Sequence, residues 1–157
     1  MDKGLYHLIL RLGRATSLPI GKLGTFSFPP GYYVYTGSAL NNLQARINRH
    51  RRRHKKLRWH IDYLRCKAEL VAIRIYPISL RSASTTAFRT ECLLNQRVQD
   101  LPGAQISVPG FGSSDCRCRS HLTYFQAWPT GIDHIDHIPD LNPDRRGARE
   151  TRTPCTP

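Results

Sequence analysis

The chain has 157 residues, among which 24 Lys and Arg stand against 11 Asp and Glu, and its formal net charge is +13. This length allows one compact domain with an adequate core plus a tail, and it excludes an array of independent domains. So positive a chain favours an anionic partner, of which nucleic acid is the commonest.

Two further features bear on location. The apolar stretch 8–12 contains Arg11 and is far too short for a signal peptide or a membrane span. The five cysteines are odd in number and irregularly spaced, which argues against a disulfide framework and fits a reducing compartment. We therefore expect a cytoplasmic protein.

Hydrophobic periodicity predicts a mixed arrangement of strands and helices. The Gly- and Pro-rich residues 13–31 are expected to form a long hairpin connection, and Ser38 or Asn41 can cap the helix that follows the second strand. The predicted strands, in chain order, are residues 4–12, 32–36, 70–75 and 121–127. The predicted helices are residues 41–54, 59–64 and 83–98.

The end of the chain lacks a periodic apolar face. Beyond Trp128 it contains five Pro and scattered charges. We therefore expect one domain over residues 1–127 and a mostly disordered tail over residues 128–157.

Basic residues concentrate in the first part of the chain. Residues 3–61 carry twelve of the Lys and Arg and no acidic residue. Within this segment, a run typical of a phosphate-tracking helix or loop contains the predicted nucleic-acid contacts, which are Arg49, Arg51, Arg52, Arg53, Lys55, Lys56 and Arg58. The alternative for this run is a solvated basic face or a localisation patch.

Two tripeptides and a helix carry the most specific signal. Gly4-Leu5-Tyr6 lies on the first predicted strand, and Tyr35-Thr36-Gly37 ends the second. On the helix that follows, Arg46 and His50 are four residues apart and so lie on one face. With the motifs at 57–64 and 110–122, this arrangement resembles the GIY-YIG nuclease superfamily, in particular a small, largely uncharacterised branch that is sometimes fused to base-excision glycosylases.

The resemblance covers roughly residues 3–126 and implies an α/β fold of the α+β type, with a small three-stranded antiparallel sheet flanked by helices. The sequence departs from the family pattern in two respects. The tripeptides lie farther apart than usual, and Thr36 replaces the aliphatic middle residue.

The resemblance also implies catalytic roles, which the chemistry of phosphodiester cleavage explains. Tyr35 is the leading base or water-orienting group and Tyr6 lies beside it, although the two could exchange roles. Arg46 offers a planar, always-charged fork to the scissile phosphate. Glu91 is the metal ligand and would hold Mg²⁺ or Mn²⁺ mostly through waters. His50 is expected to position Tyr35 or to contact a phosphate.

We therefore expect a Mg²⁺-dependent endonuclease that acts on DNA, with DNA repair as a possible role and RNA not excluded as substrate. The alternative is a non-catalytic nucleic-acid-binding module with the same fold, which would have no need of Glu91. His60 and Asp62 are expected to form a structural network beneath the site. Oligomeric state is not predicted by the sequence.

A third hypothesis is a zinc-stabilised adaptor built on Cys116, Cys118 and His121. The spacing of the two cysteines is tighter than is usual for zinc sites. We therefore expect a tight turn at 112–115, with the cysteines packed or near the cleft.

Overall fold

Strand β1 (Gly4–Leu12) lies at the centre of the fold. In the computed structural model of the chain, the described residues are 3–78 and 84–135, without the side chains of 84–89. The strands that follow β1 are β2 (Thr16–Pro19), β3 (Thr25–Phe28), β4 (Gly31–Ala39), β5 (Glu69–Pro77) and β6 (Leu122–Phe125). The helices are α1 (Leu43–Arg51), α2 (His60–Arg65) and α3 (Ser84–Gln99), and 3-10 helices occupy Gly21–Leu23 and Ile132–His134.

The main sheet has the strand order β5-β1-β4-β6, and every neighbouring pair is antiparallel. The predicted α+β fold class is confirmed, with four strands in this sheet where the resemblance implied three. The predicted connection between the first two long strands contains the small β2-β3 hairpin. This arrangement places Tyr6 of β1 directly opposite Gly37 of β4.

Alternation along β1 gives the sheet two apolar faces. Leu8 and Leu10 belong to a core that also contains Ile47 of α1 and Ile61 of α2. Leu5 and Ile9 belong to the opposite core, together with residues of α3. Helices therefore cover both faces of the sheet, and β1 is buried along almost its whole length.

Helix α1 begins and ends at residues that the sequence did not indicate. Its N-cap is Asn42, whose side-chain oxygen accepts a hydrogen bond from the Ala45 N–H at 3.0 Å. The predicted cap Ser38 lies in β4. At the other end, buried Arg65 donates hydrogen bonds to the carbonyls of His50 and Arg51, which stops the helix at Arg51 rather than at 54.

The packed part of the chain continues beyond the predicted boundary at Ala127. Ile132 is fully buried and Ile135 is 7% exposed, and both lie in the core on the α3 side of the sheet. Trp128 packs edge-on against Tyr32, with ring centroids 5.5 Å apart. The remainder of the predicted tail, residues 136–157, lies outside the described residues.

Within residues 3–78 and 84–135, no helix combines the length and the apolar character that a membrane crossing requires.

Candidate active site

A polar cleft of about 230 Å³ opens beside β1 and β4. Its lining contains four of the five predicted catalytic residues, which are Tyr6, Tyr35, Arg46 and Glu91. These residues come from β1, β4, α1 and α3, so the tertiary fold brings them together from distant parts of the chain. The fifth, His50, is buried behind Tyr6.

Two glycines leave space for the tyrosine rings. A Cβ atom on Gly37 would lie 2.6 Å from the Tyr6 hydroxyl oxygen, which is closer than packed atoms approach. A Cβ on Gly112 would lie 2.8 Å from Cε2 of Tyr35, and the backbone φ of +68° at Gly112 already favours glycine. Gly37, in the second tripeptide, therefore leaves the space that the side chain of Tyr6, in the first tripeptide, occupies.

The Tyr6 hydroxyl has two polar neighbours. It lies 2.9 Å from Nε2 of His50, and Arg46 donates a hydrogen bond to it. Burial raises the pKa of Tyr6 far above the ordinary value, and the nearby Arg46 cation opposes this only in part. Burial and the neighbouring Lys55 lower the pKa of His50 to about 3. At neutral pH this pair is therefore a neutral phenol beside a neutral imidazole.

Tyr35 is also kept protonated. Burial raises its pKa well above the ordinary value, and the proximity of Tyr6 and Glu91 adds to the shift. Its ring packs between Phe111, with centroids 6.2 Å apart, and Tyr6, with centroids 6.5 Å apart. His50 thus hydrogen-bonds to Tyr6, whereas the sequence analysis expected His50 to position Tyr35 or to contact a phosphate.

Trp59, which the sequence analysis did not single out as a site residue, organises the cations at the cleft. The guanidinium carbons of Arg46 and Arg49 lie 4.6 Å and 4.2 Å from the centre of its ring. Such cation–π contacts hold an arginine side chain in place. Trp59 also packs against His50 at a centroid distance of 5.7 Å. Trp59 lies within the motif at 57–64, and this was the sequence feature that could have indicated it as a site residue.

Asp62 explains why some residues of the basic run do not face solvent. Its buried carboxylate lies 2.8 Å from Nη1 of Arg49 and 3.2 Å from Nζ of Lys55. Burial opposes its ionisation, but hydrogen bonds from Arg49 and from the backbone N–H groups of Arg58 and Trp59 lower its pKa far below the ordinary value. Asp62 therefore forms the structural network that the sequence predicted.

The other predicted nucleic-acid contacts are all exposed. Arg51 donates to the side chain of Asn48, and Arg53 donates to the backbone carbonyls at 66 and 67. Arg58 also lines the cleft. The basic run therefore presents five of its seven predicted contacts to solvent, while Arg49 and Lys55 are held by Asp62.

Glu91 lies at the α3 side of the cleft. Its side chain is 12% exposed, and Oε1 of its carboxylate lies 3.0 Å from Nδ1 of His121. Asp115 lines the same cleft. A carboxylate with one oxygen tied to a neighbour and a second carboxylate nearby form an oxygen-rich donor set, which fits the preference of Mg²⁺ for oxygen and water ligands.

The predicted loop motif at 110–122 closes the cleft. The backbone N–H of Gly112 donates to Nδ1 of His60 at 2.9 Å, and the N–H of His121 donates to the carbonyl of Phe111 at 2.7 Å. Because Nδ1 of His60 accepts this bond, the neutral ring carries its proton on Nε2. His60, which the sequence placed beneath the site, therefore lines the cleft itself.

The described residues form a small mixed α+β domain that carries this polar cleft. A family model described as "Domain of unknown function DUF123" matches residues 5–140, and the chain belongs to this family. Comparison with curated proteins and with solved structures gave no significant match.

Proposed function

We propose that this protein is a metal-dependent endonuclease that hydrolyses phosphodiester bonds in DNA. The observation that carries the proposal is that one cleft is lined by two tyrosines, an arginine and a glutamate. These groups match the needs of the reaction, which are activation of a water, neutralisation of the phosphate and binding of a divalent cation. The proposal includes membership of the GIY-YIG superfamily, with which the two tripeptides agree.

Tyr6 is the group that activates the water. In the tautomer of His50 that carries its proton on Nδ1, Tyr6 donates its hydroxyl proton to Nε2 and keeps oxygen lone pairs for the cleft. The attacking water passes a proton to the Tyr6 oxygen while the phenol proton moves to His50, and His50, whose low pKa disfavours the protonated ring, releases that proton to solvent after the step. The water oxygen bonds to phosphorus, the bond to the 3′ oxygen breaks, and that oxygen takes a proton from solvent. This assigns the base to Tyr6 rather than to Tyr35.

Arg46 and Tyr35 stabilise the charge that develops on the phosphate. Arg46 is held over Trp59 and bonded to Tyr6, so its guanidinium is oriented before the substrate arrives. Tyr35, which burial keeps protonated, donates a hydrogen bond to a phosphate oxygen. Orientation before binding matters because a preorganised donor needs no rearrangement during the reaction.

Glu91 is the residue that would hold the Mg²⁺ ion, and Asp115, which lines the same cleft, would bind waters of that ion. When bound, the ion supplies Lewis-acid stabilisation of the phosphate and of the leaving oxygen. In the free protein, Glu91 is oriented by the contact of its Oε1 with His121.

The second candidate is a nucleic-acid-binding module without catalysis. The raised pKa values of both tyrosines favour it, because a buried phenol is a weak base. Glu91 argues against it, since a carboxylate in a phosphate-binding cleft repels the ligand unless a cation lies between them.

Single-turnover cleavage of a nucleic-acid panel tests the proposal. The panel contains duplex, flap, branched and single-stranded DNA, with the matching RNAs, and Mg²⁺ is present or omitted. We expect cleavage of at least one DNA only with Mg²⁺. Glu91→Gln and Tyr6→Phe should each lower the rate by about 10²-fold or more, while Glu91→Gln binds the DNA as well as wild type does.

Matched controls lie on the same elements or the same surface. Tyr32→Phe changes a tyrosine of β4 on the opposite face of the sheet, and Glu69→Gln changes an exposed glutamate of β5. Both should cut at the wild-type rate. Binding of the panel without cleavage by the wild type would support the binding module instead, as would undiminished cleavage by Glu91→Gln and Tyr6→Phe.

A further inference from the structure

A cluster of sulfur and imidazole groups lies behind Glu91. Cys92 follows Glu91 on α3, Cys116 and Cys118 lie in the loop before β6, and His121 is the residue before that strand. One ligand atom from each of the four lies within 4.8 Å of every other. Cys92 and His121 are 4% and 2% exposed, and Cys116 and Cys118 are partly exposed, so one side of the cluster is closed to solvent.

The hydrogen bonds of His121 already have the form that a metal ligand needs. Nδ1 lies 3.2 Å from the Thr36 carbonyl and 3.0 Å from Oε1 of Glu91, both of which accept a proton. Nδ1 therefore carries the proton, and the lone pair of Nε2 faces Sγ of Cys116 at 3.3 Å. In metal sites, a ligating histidine almost always donates its other N–H to a carboxylate or a backbone carbonyl.

The distances also suit a tetrahedral ion. Bond lengths of about 2.3 Å to sulfur and about 2.0 Å to nitrogen put tetrahedral S and N ligands roughly 3.5 Å apart. The contact between Cys116 and His121 is 3.3 Å, so an ion would enter with little movement of the ligands. Cys92 and Cys116 have free thiols and contact each other.

We propose that Cys92, Cys116 and His121 bind one borderline-soft divalent cation of the Zn²⁺ class. Cys118 takes part in a disulfide in this structure. The fourth position is filled by a water or, once two equivalents of a thiol such as glutathione have reduced that disulfide, by the Cys118 thiolate. This replaces the expectation of merely packed cysteines, because helix α3 brings in Cys92, which the Cys-x-Cys spacing could not indicate.

The site would be structural. It ties α3 to the loop that closes the cleft, and through Thr36 it ties both to β4. Glu91 and Cys92 are neighbours on α3, so the ion would also fix the position of the candidate Mg²⁺ ligand. The inference needs no catalytic activity and is tested independently of the proposed function.

The test is the metal content of the full chain purified in a phosphine reductant with Zn²⁺ supplied during expression. We expect about one zinc per chain in wild type by elemental analysis, and less than about a fifth of that in Cys92→Ser and Cys116→Ser. Cys66→Ser is the matched control, because Cys66 is a free thiol at the end of α2, outside the cluster. It should keep the wild-type zinc content.

Cobalt provides a readout that does not depend on the variants folding. Wild-type protein depleted of zinc and titrated with Co²⁺ should develop visible bands of tetrahedral Co²⁺ and near-ultraviolet thiolate charge transfer, saturating at about one equivalent. The inference is overturned if wild type takes up neither zinc nor cobalt with these bands, or if folded Cys92→Ser and Cys116→Ser retain as much zinc as Cys66→Ser.

Discussion

Tyr6 is both a core residue and a cleft residue, and its two environments have opposing effects. Its ring is 2% exposed and packs with the core of α1 and α2, while its hydroxyl contacts Arg46 and His50. Packing fixes the hydroxyl to within a narrow range of positions, which favours catalysis. The same burial raises the pKa of the phenol, so that a neighbour must take its proton during the reaction.

Gly37→Ala should damage the site through sterics alone. The added methyl would meet the Tyr6 hydroxyl at 2.6 Å, so the ring or strand β4 must shift. We expect a loss of about 1–3 kcal/mol in the free energy of unfolding, with loss of any cleavage activity. Denaturant unfolding and single-turnover rates measure the two effects. Gly13→Ala is the control, since a Cβ there has no heavy atom within 4 Å, and an equal loss in both variants would contradict the steric explanation.

Substitution of Arg46 should affect the rate of cleavage, whereas substitution of Arg52 should affect the binding of DNA. Arg46 lines the cleft, whereas Arg52 is exposed at the end of α1. Arg46→Ala should lower the rate on bound DNA by about 10²- to 10³-fold and change salt dependence little. Arg52→Ala should leave that rate unchanged and flatten the plot of log affinity against log salt by about one unit.

Saturating single-turnover rates and salt titrations of affinity distinguish the two variants. Equal effects of both substitutions on the rate would mean that Arg46 contacts the phosphate backbone of DNA, as Arg52 does, and does not stabilise the transition state.

At the level of elements, apolar periodicity and motif spacing predicted the strands and helices that carry the site residues. The strands carrying Tyr6 and Tyr35, and the helices carrying Arg46 and Glu91, overlap their predicted positions, although β4 is longer and α1 shorter than predicted. The partners of charged side chains could not be predicted, because Arg49 reaches Asp62 only after α2 has folded against α1. A basic run in a sequence does not distinguish a structural arginine from one that faces solvent.

The last 3-10 helix, Ile132–His134, should contribute to stability. Ile132 and Ile135 are buried in the core shared with α3, so a chain that ends at Ala127 exposes that core. We expect the free energy of unfolding of the chain that ends at Ala127 to be about 2–4 kcal/mol lower than that of a chain that ends at Ile135. Denaturant unfolding of both chains measures the difference.

A point variant in the full chain checks that prediction. Ile132→Ala should lower the free energy of unfolding by about 2–5 kcal/mol. Ile75→Ala, at a residue that is 45% exposed, should lower it far less. Equal stability of the two shortened chains would show that these contacts contribute nothing.

At the level of the whole molecule, buried histidines should make stability depend on pH. Burial lowers the pKa of His7 and of His50 to about 3, whereas the unfolded chain protonates both near pH 6.5. As the pH falls below 6.5, the unfolded state therefore binds protons first, and folding stability is lost towards pH 3. Between pH 7 and pH 5 each of these two histidines should lower the free energy of unfolding by about 2 kcal/mol.

Denaturant unfolding at several pH values tests this. His7→Gln should flatten the dependence by the share of one histidine, whatever its effect at pH 7. His54→Gln, at an exposed histidine, should leave the slope unchanged. A wild-type stability that is constant from pH 7 to pH 5 would contradict the prediction.

The central position of β1 also has a kinetic consequence. This strand is synthesised before both of its neighbours in the sheet, which are residues 31–39 and 69–77. Pairings between such distant segments form slowly, because the chain must close long loops before the contacts stabilise it. A nascent chain therefore carries an apolar strand with one or two unpaired edges until β5 has left the ribosome. Tyr6, which lines the cleft, lies on this strand, so its place in the site is fixed only after β4 and β5 have paired with β1.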